Sequence, residues 1–255
     1  MKSDNSNTLL EEWKREENQP FCGWDFSYLA ERYVPQTPPW SYEEIAGELI
    51  AASSSVLDLG TGGGEKLLEF KYVLPHQTVA TEGYPPNLQL AKKRLKLLGI
   101  DVVESNDSLE QRLPFKDEAF DLVIDRHTSF NTFEVERVLT SGGAFLTEQV
   151  DGNNLCDLSE AFDCRQPWTF FTLDFVFEKI GETNLAVETA QEWTGNVIFK
   201  DVGAIVYYLK AVPWTVPGFS VRKNLAHLER LQRRLERGKE LIFQQKLFLV
   251  KAIKA

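Results

Sequence analysis

The stretch VLDLGTGGGE, residues 56–65, carries the chain's most pointed chemistry: Asp58 closes an apolar run, and glycines follow at 60, 62 and 64. Glycine there lets the backbone turn sharply and approach a bound molecule where a side chain would collide with it. The pattern predicts a ligand site at a strand's carboxyl end, with Thr61 in its lining. A second carboxylate, Glu82, closes the next apolar run, QTVATE, and Gly83 follows it. A carboxylate can accept two hydrogen bonds at once. A dinucleotide loop of the GxGxxG type would place glycine at 65, where this chain has Glu65.

His127 is the candidate acid–base group. It follows the apolar run AFDLVID, at the edge where ligands gather in parallel sheets, and its near-neutral pKa suits proton transfer. The structural alternative is a hydrogen bond within its own loop. DRHTSFN offers no Ser-His-Asp arrangement, because nucleophile and base would crowd one short loop. Glu148 and Gln149 end a later apolar run, and strand alternation sends one of them into the packed side, so at most one is expected to be functional. Glu148 is taken as the candidate for acceptor contact.

These residues need a scaffold that brings strand ends together. From Ala52 onward, short β-branched runs alternate with longer amphipathic ones, the signature of βαβ units and a mostly parallel sheet. Expected strands are 54–59, 77–82, DVVES, 119–125, AFLTEQV and 185–192, with a closing strand pair ending in KLFLVKAIKA. Expected helices include one from the glycine turn to about Tyr72, NLQLAKKRLKLLG after two prolines, and 155–162 and 173–180. Residues 1–50, rich in Trp and Tyr, read as a cap over one end of a domain at 51–255, which has helices inserted or appended within 151–240.

Composition bounds the partners. At 255 residues, 43% hydrophobic, the chain holds one main core. A formal net charge of -10 and a pI near 5.0 oppose phosphate-backbone binding. The basic stretch 222–239 is interleaved with Glu229 and Glu236 and reads as a solvated helix face. The 3 cysteines show no CxxC spacing and no histidine at metal-ligand distance, so no metal is expected. The start lacks a signal-peptide core, and no run approaches the roughly 18 apolar residues of a membrane span. A cytoplasmic protein is expected.

VLDLGTGGGE resembles the first motif of the class I S-adenosylmethionine-dependent methyltransferases, in which an acidic residue precedes the glycines as Asp58 does. TVATEGYPPNLQLAKKRL is similar to their second motif, LPFKDEAFDLVIDRH to the region around their fourth strand, and EVERVLTSGGAFLTEQV to their fifth. The resemblance implies a Rossmann-like seven-stranded, mostly parallel sheet with helices on both faces and the last strand antiparallel. It implies S-adenosylmethionine as cofactor, held at Asp58, Gly60, Thr61, Gly62, Gly64, Glu82 and Gly83, with the Glu82 carboxylate accepting from the cis-diol of the ribose. The adenine residue after the third strand would be Asp107 or Ser108, although the spacing from Asp107 to the LPF motif is longer than usual. No NPPY-like tetrad follows the fourth strand, which lowers the expectation of a DNA or protein-amide substrate.

The implied function is methyl transfer to an O, N or C atom of a small-molecule acceptor, with His127 as the candidate base. Trp24, Tyr28 and Trp40 are candidates for an aromatic lid that buries the acceptor and favours the cationic donor through cation–π contact. An RNA methyltransferase, an NAD(P)-dependent oxidoreductase and a non-catalytic cofactor-binding module are the alternatives.

Overall fold

The computed structural model describes residues 2–105, 108–110 and 112–255, with side chains from Thr8 onward. Along the chain run α1 (Lys2–Glu17), β1 (Tyr33–Pro35), α2 (Tyr42–Ala52), β2 (Ser55–Leu59), α3 (Glu65–Glu69), β3 (Gln77–Glu82), α4 (Pro85–Leu95) and β4 (Asp101–Glu104). Then follow β5 (Phe120–Arg126), α5 (Thr132–Val138), β6 (Leu139–Val150), α6 (Cys156–Ala161), α7 (Leu173–Gly181), β7 (Leu185–Phe199), α8 (Val202–Ala211), α9 (Leu225–Glu236) and β8 (Leu241–Lys254).

The strands form one 8-stranded sheet in the order β1-β7-β8-β6-β5-β2-β3-β4. Strands β4, β3, β2, β5 and β6 pair in parallel, and β8 lies antiparallel to both β6 and β7. This is the Rossmann-like sheet with an antiparallel last strand, extended by one strand beyond the expected seven. The additional strand is β1, which joins the far edge antiparallel to β7 through Tyr33↔Phe199 and Val34↔Ile198. The closing pair is likewise a single long strand, β8, because its partner β7 continues past Glu192 to Phe199 and stays paired with it, with one register shift between Val187 and Thr189. The helix after the glycine turn stops at Glu69, well before Tyr72.

Alternation along the strands divides the core. Val56, Leu122, Ile124 and Leu146 face a cluster completed by Ile50 of α2, Leu67 of α3 and Leu88, Ala91 and Leu95 of α4. Leu57, Leu59, Val123 and Phe145 face the other way, onto Val135 and Val138 of α5 and Val176 and Ile180 of α7. Both faces of the parallel strands are thus covered, which is why they read as continuous apolar runs. Local signals set the helix bounds: Ser41 accepts the amide of Glu44 at 3.1 Å, and α4 begins on prolines and runs into a 3-10 turn, Lys96–Leu98, that Gly99 closes in the left-handed region.

A third core joins α1, α6, α8 and α9 to Val197 and Phe199 at the end of β7 and Leu241 and Phe243 at the start of β8. Strand β7 runs in the same direction as β6, so this helical layer sits at the carboxyl edge of the sheet. Arg32 ties the layer together: its Nε and Nη2 donate to Asp201 at 2.9 and 2.8 Å, and its Nη2 donates to Glu16 at 2.8 Å. Asp201 also caps α8 through the amide of Ala204 at 2.8 Å. Among the described residues no helix is long and apolar enough to cross a membrane.

Candidate active site

The glycine turn is fastened from below by β3. The amide of Thr61 donates to the Thr81 carbonyl at 2.8 Å, and that of Gly60 to the Thr81 hydroxyl at 3.1 Å. Gly60, Gly62 and Gly64 all have φ between 61° and 80°. That region is open to glycine and costly for other residues. A Cβ on Gly60 would meet the Thr128 side chain at 2.6 Å, and one on Gly62 would lie 3.1 Å from Trp24 Cδ1. The strand-five loop and the N-terminal segment therefore both close directly onto the turn. Glu65, in place of the dinucleotide loop's glycine, opens α3 and forms an ion pair with Arg94, which also donates to the Gly63 carbonyl.

Two carboxylates border this turn. Asp58 is buried at the end of β2. Its charge is felt by the fully buried Tyr42, whose phenol pKa is pushed well above the ordinary value by burial first and then by Asp58 and Asp125. Glu82 is buried at the end of β3 and accepts the amide of Tyr84 at 2.7 Å, with Gly83 between them half-buried. The hydroxyls of Thr61 and Ser105 are buried with no hydrogen-bond partner among the described residues. Thr61 follows β2 and Ser105 directly follows β4, so these two groups stand at strand ends on either side of β3. Buried hydroxyls are normally paired. Asp107 lies outside the described residues, and Ser108 is exposed.

A second constellation stands at the ends of β5 and β6, where Arg126 and Glu148 are register partners. Glu148 is only 3% exposed. The Trp40 indole donates to its Oε2 at 2.7 Å, Arg126 Nε donates to its Oε1 at 3.0 Å, and His127 Nε2 stands 3.3 Å from the same oxygen. Burial alone would raise the Glu148 pKa. The hydrogen bond and charge of His127, the charge of Arg126 and the Trp40 indole outweigh it and bring it down to about 2. The His127 pKa is lowered, chiefly by desolvation; the hydrogen bond to Glu148 opposes this and the charge of Arg126 adds to it. The backbone at His127 has φ 64°, and its amide donates to the Glu148 carbonyl at 2.9 Å. A non-glycine residue held in that region marks a position the surroundings over-determine.

Gln149 turns to the opposite face, where its side-chain amide donates to Thr147 at 2.7 Å, to the Thr128 carbonyl at 2.8 Å and to the fully buried Asp125. Both residues of the Glu148–Gln149 pair thus secure the loop carrying His127, one from each face. Of the aromatic lid candidates, Trp40 reaches the carboxylate. Trp24 covers the glycine turn beside Trp214, at a ring separation of 5.8 Å, and Tyr28 packs on Tyr207 at 4.6 Å. Arg126, Tyr42 and Ser105 are not among the residues expected from the sequence, and Gln149 stands there only as the alternative to Glu148. The available signal was alternation, which puts Arg126 and Glu148 on one face at one edge.

A family model described as "Methyltransferase domain" matches residues 50–197. The chain belongs to the class I S-adenosylmethionine-dependent methyltransferases. This methyltransferase is 32% identical over 122 residues to the phthiotriol/phenolphthiotriol dimycocerosates methyltransferase of Mycobacterium tuberculosis. That alignment covers 44% of this chain and 44% of the relative, so the chain matches less than half of its length. Among solved structures it resembles the BH2331 protein of Bacillus halodurans C-125, with a TM-score of 0.60 at 19% identity over 84% of this chain and 99% of that one. YcgJ of Bacillus subtilis gives 0.58 at 18% identity, over 83% and 97%.

The family's methyl donor is S-adenosylmethionine, and two features of the edge suit that molecule. The glycine turn leaves room that side chains would fill, and the buried Thr61 and Ser105 hydroxyls leave hydrogen-bonding capacity beside it. The buried carboxylates Asp58, Asp125 and Glu148 further suit a cationic sulfonium.

Proposed function

We propose that this methyltransferase acts on a small-molecule acceptor, carrying the methyl group to an oxygen, nitrogen or carbon atom while His127 removes the acceptor's proton. In this reading Asp58, the turn of Gly60, Thr61, Gly62 and Gly64, and Glu82 with Gly83 hold the cofactor, with Ser105 and Ser108 toward the adenine side. S-adenosylmethionine supplies an already activated methyl group, so the protein contributes mainly orientation and the exclusion of water.

The observation that carries the proposal is the pairing of His127 with an ionised, buried Glu148 at the edge of the glycine turn. With Nε2–H directed at Glu148, Nδ1 is left to accept a proton, and the carboxylate stabilises the imidazolium that forms. The lowered His127 pKa keeps the ring neutral and ready as a base at neutral pH. Trp24 and Trp40 wall the approach in this reading. The net charge of -10 favours a small acceptor over RNA, and the mycobacterial relative, named for phthiotriol and phenolphthiotriol dimycocerosates, supports the same choice.

The test is transfer of a tritiated methyl group from S-adenosylmethionine into a small-molecule extract by the parent chain and His127→Ala. General-base catalysis contributes about 10²–10⁴-fold, so turnover at saturating cofactor should fall by at least about a hundredfold. Undiminished turnover removes His127 from the mechanism.

A further inference from the structure

Resting on the small-molecule reading above, we infer that Arg126 anchors a carboxylate carried by the methyl acceptor. The guanidinium is fixed from two sides. Its Nε donates to Glu148 at 3.0 Å, and its central carbon lies 5.7 Å from the centre of the Tyr42 ring. Neither Nη1 nor Nη2 donates a hydrogen bond to any group among the described residues, and the side chain keeps 33% of its surface exposed. Four of the five N–H groups of the fork are therefore uncommitted, in the planar geometry that matches a carboxylate bidentately.

The position of this fork matters as much as its capacity. Arg126 Nε and His127 Nε2 converge on the same oxygen of Glu148, at 3.0 and 3.3 Å. A carboxylate seated on Arg126 is thereby held next to the imidazole, where a hydroxyl of the same molecule meets the base. Trp40 and His127 share the Glu148 carboxylate with Arg126, whose contact to it runs through Nε alone. The Tyr42 ring shields one side of the guanidinium from water, which strengthens an ion pair formed on the other. Arg126 is therefore a specificity residue for acidic acceptors and acts separately from the glycine turn that takes the donor.

The experiment labels a small-molecule extract with tritiated methyl groups from S-adenosylmethionine and partitions the product between organic solvent and buffer, once acidified and once mildly alkaline. The expected product enters the organic phase only from acid. Arg126→Gln is expected to raise the KM for the labelled acceptor about tenfold or more, the worth of a charge-assisted bidentate contact. Its affinity for S-adenosylhomocysteine should stay within about threefold of the parent by the same conversion. Arg126→Lys, which keeps the charge without the fork, should fall between the two and guards against a folding defect in the glutamine variant.

Label in a product that partitions independently of pH overturns the inference and leaves the methyltransferase reading standing. A loss of S-adenosylhomocysteine affinity equal to the rise in KM overturns it too, because the arginine would then hold the cofactor's own carboxylate. Failure of the parent to label any small molecule defeats both readings together.

Discussion

His127 Nε2 stands 3.3 Å from Glu148 Oε1, while the His127 amide donates to the Glu148 carbonyl at 2.9 Å. One residue thus holds the histidine at both backbone and ring. The backbone contact fixes the left-handed turn, and the carboxylate fixes the ring.

That arrangement sets a pH profile. The reactive form of His127 is neutral and its pKa is lowered, so kcat/KM should rise with pH and level off below the ordinary histidine range. Glu148 is one of the influences that raise the imidazole pKa. Glu148→Gln should therefore move the rising limb to still lower pH and reduce the plateau by roughly ten- to a hundredfold, part of the general-base contribution. A limb left in place by the substitution would show that Glu148 does not govern the ring.

Glu148 also couples folding to acid. Its pKa falls from an ordinary 4.5 to about 2, so its stabilising contribution is present above the unfolded value and is lost as pH drops through the folded one. At about 1.4 kcal/mol per unit this amounts to about 3 kcal/mol. Urea unfolding of the parent should weaken between about pH 5 and pH 2 more steeply than that of Glu148→Gln. Equal slopes would mean that the carboxylate is not held as described.

Two glycines in the same backbone region provide an internal comparison. Gly99 has φ 70° with nothing within 4 Å of a built Cβ, whereas at Gly60, φ 61°, a Cβ would strike Thr128 at 2.6 Å. Gly99→Ala should cost only the left-handed conformation, about 1–2 kcal/mol. Gly60→Ala should cost about 1–3 kcal/mol more through overlap, and should also impair cofactor binding. Chemical denaturation of the two variants side by side measures the difference.

Much of the scaffold was legible because the inner strands are buried on both faces. SVLDL and QTVATE stand out as short apolar runs, and their carboxyl ends fixed Asp58 and Glu82 at the crevice. Strand β1 was not legible: YVP has no alternation of its own, and its strand character comes from pairing with Val197–Phe199, far along the chain. The Trp40–Glu148 contact joins residues 108 apart, a separation that no local periodicity reports. Its consequence, an ionised buried carboxylate, was hidden with it. Arg126 stood beside His127 in DRH, but its role became visible only when Glu148 and Tyr42 were found against it.

The most direct measurement is a calorimetric titration of the parent chain, Gly62→Val and Glu82→Ala with S-adenosylhomocysteine. The parent should bind in the micromolar range, about -8 kcal/mol. Each variant should lose at least about tenfold, since valine would press on Trp24 from within the turn and alanine removes the carboxylate proposed to hold the ribose. Equal affinity in all three proteins would contradict the assignment of the cofactor to this crevice.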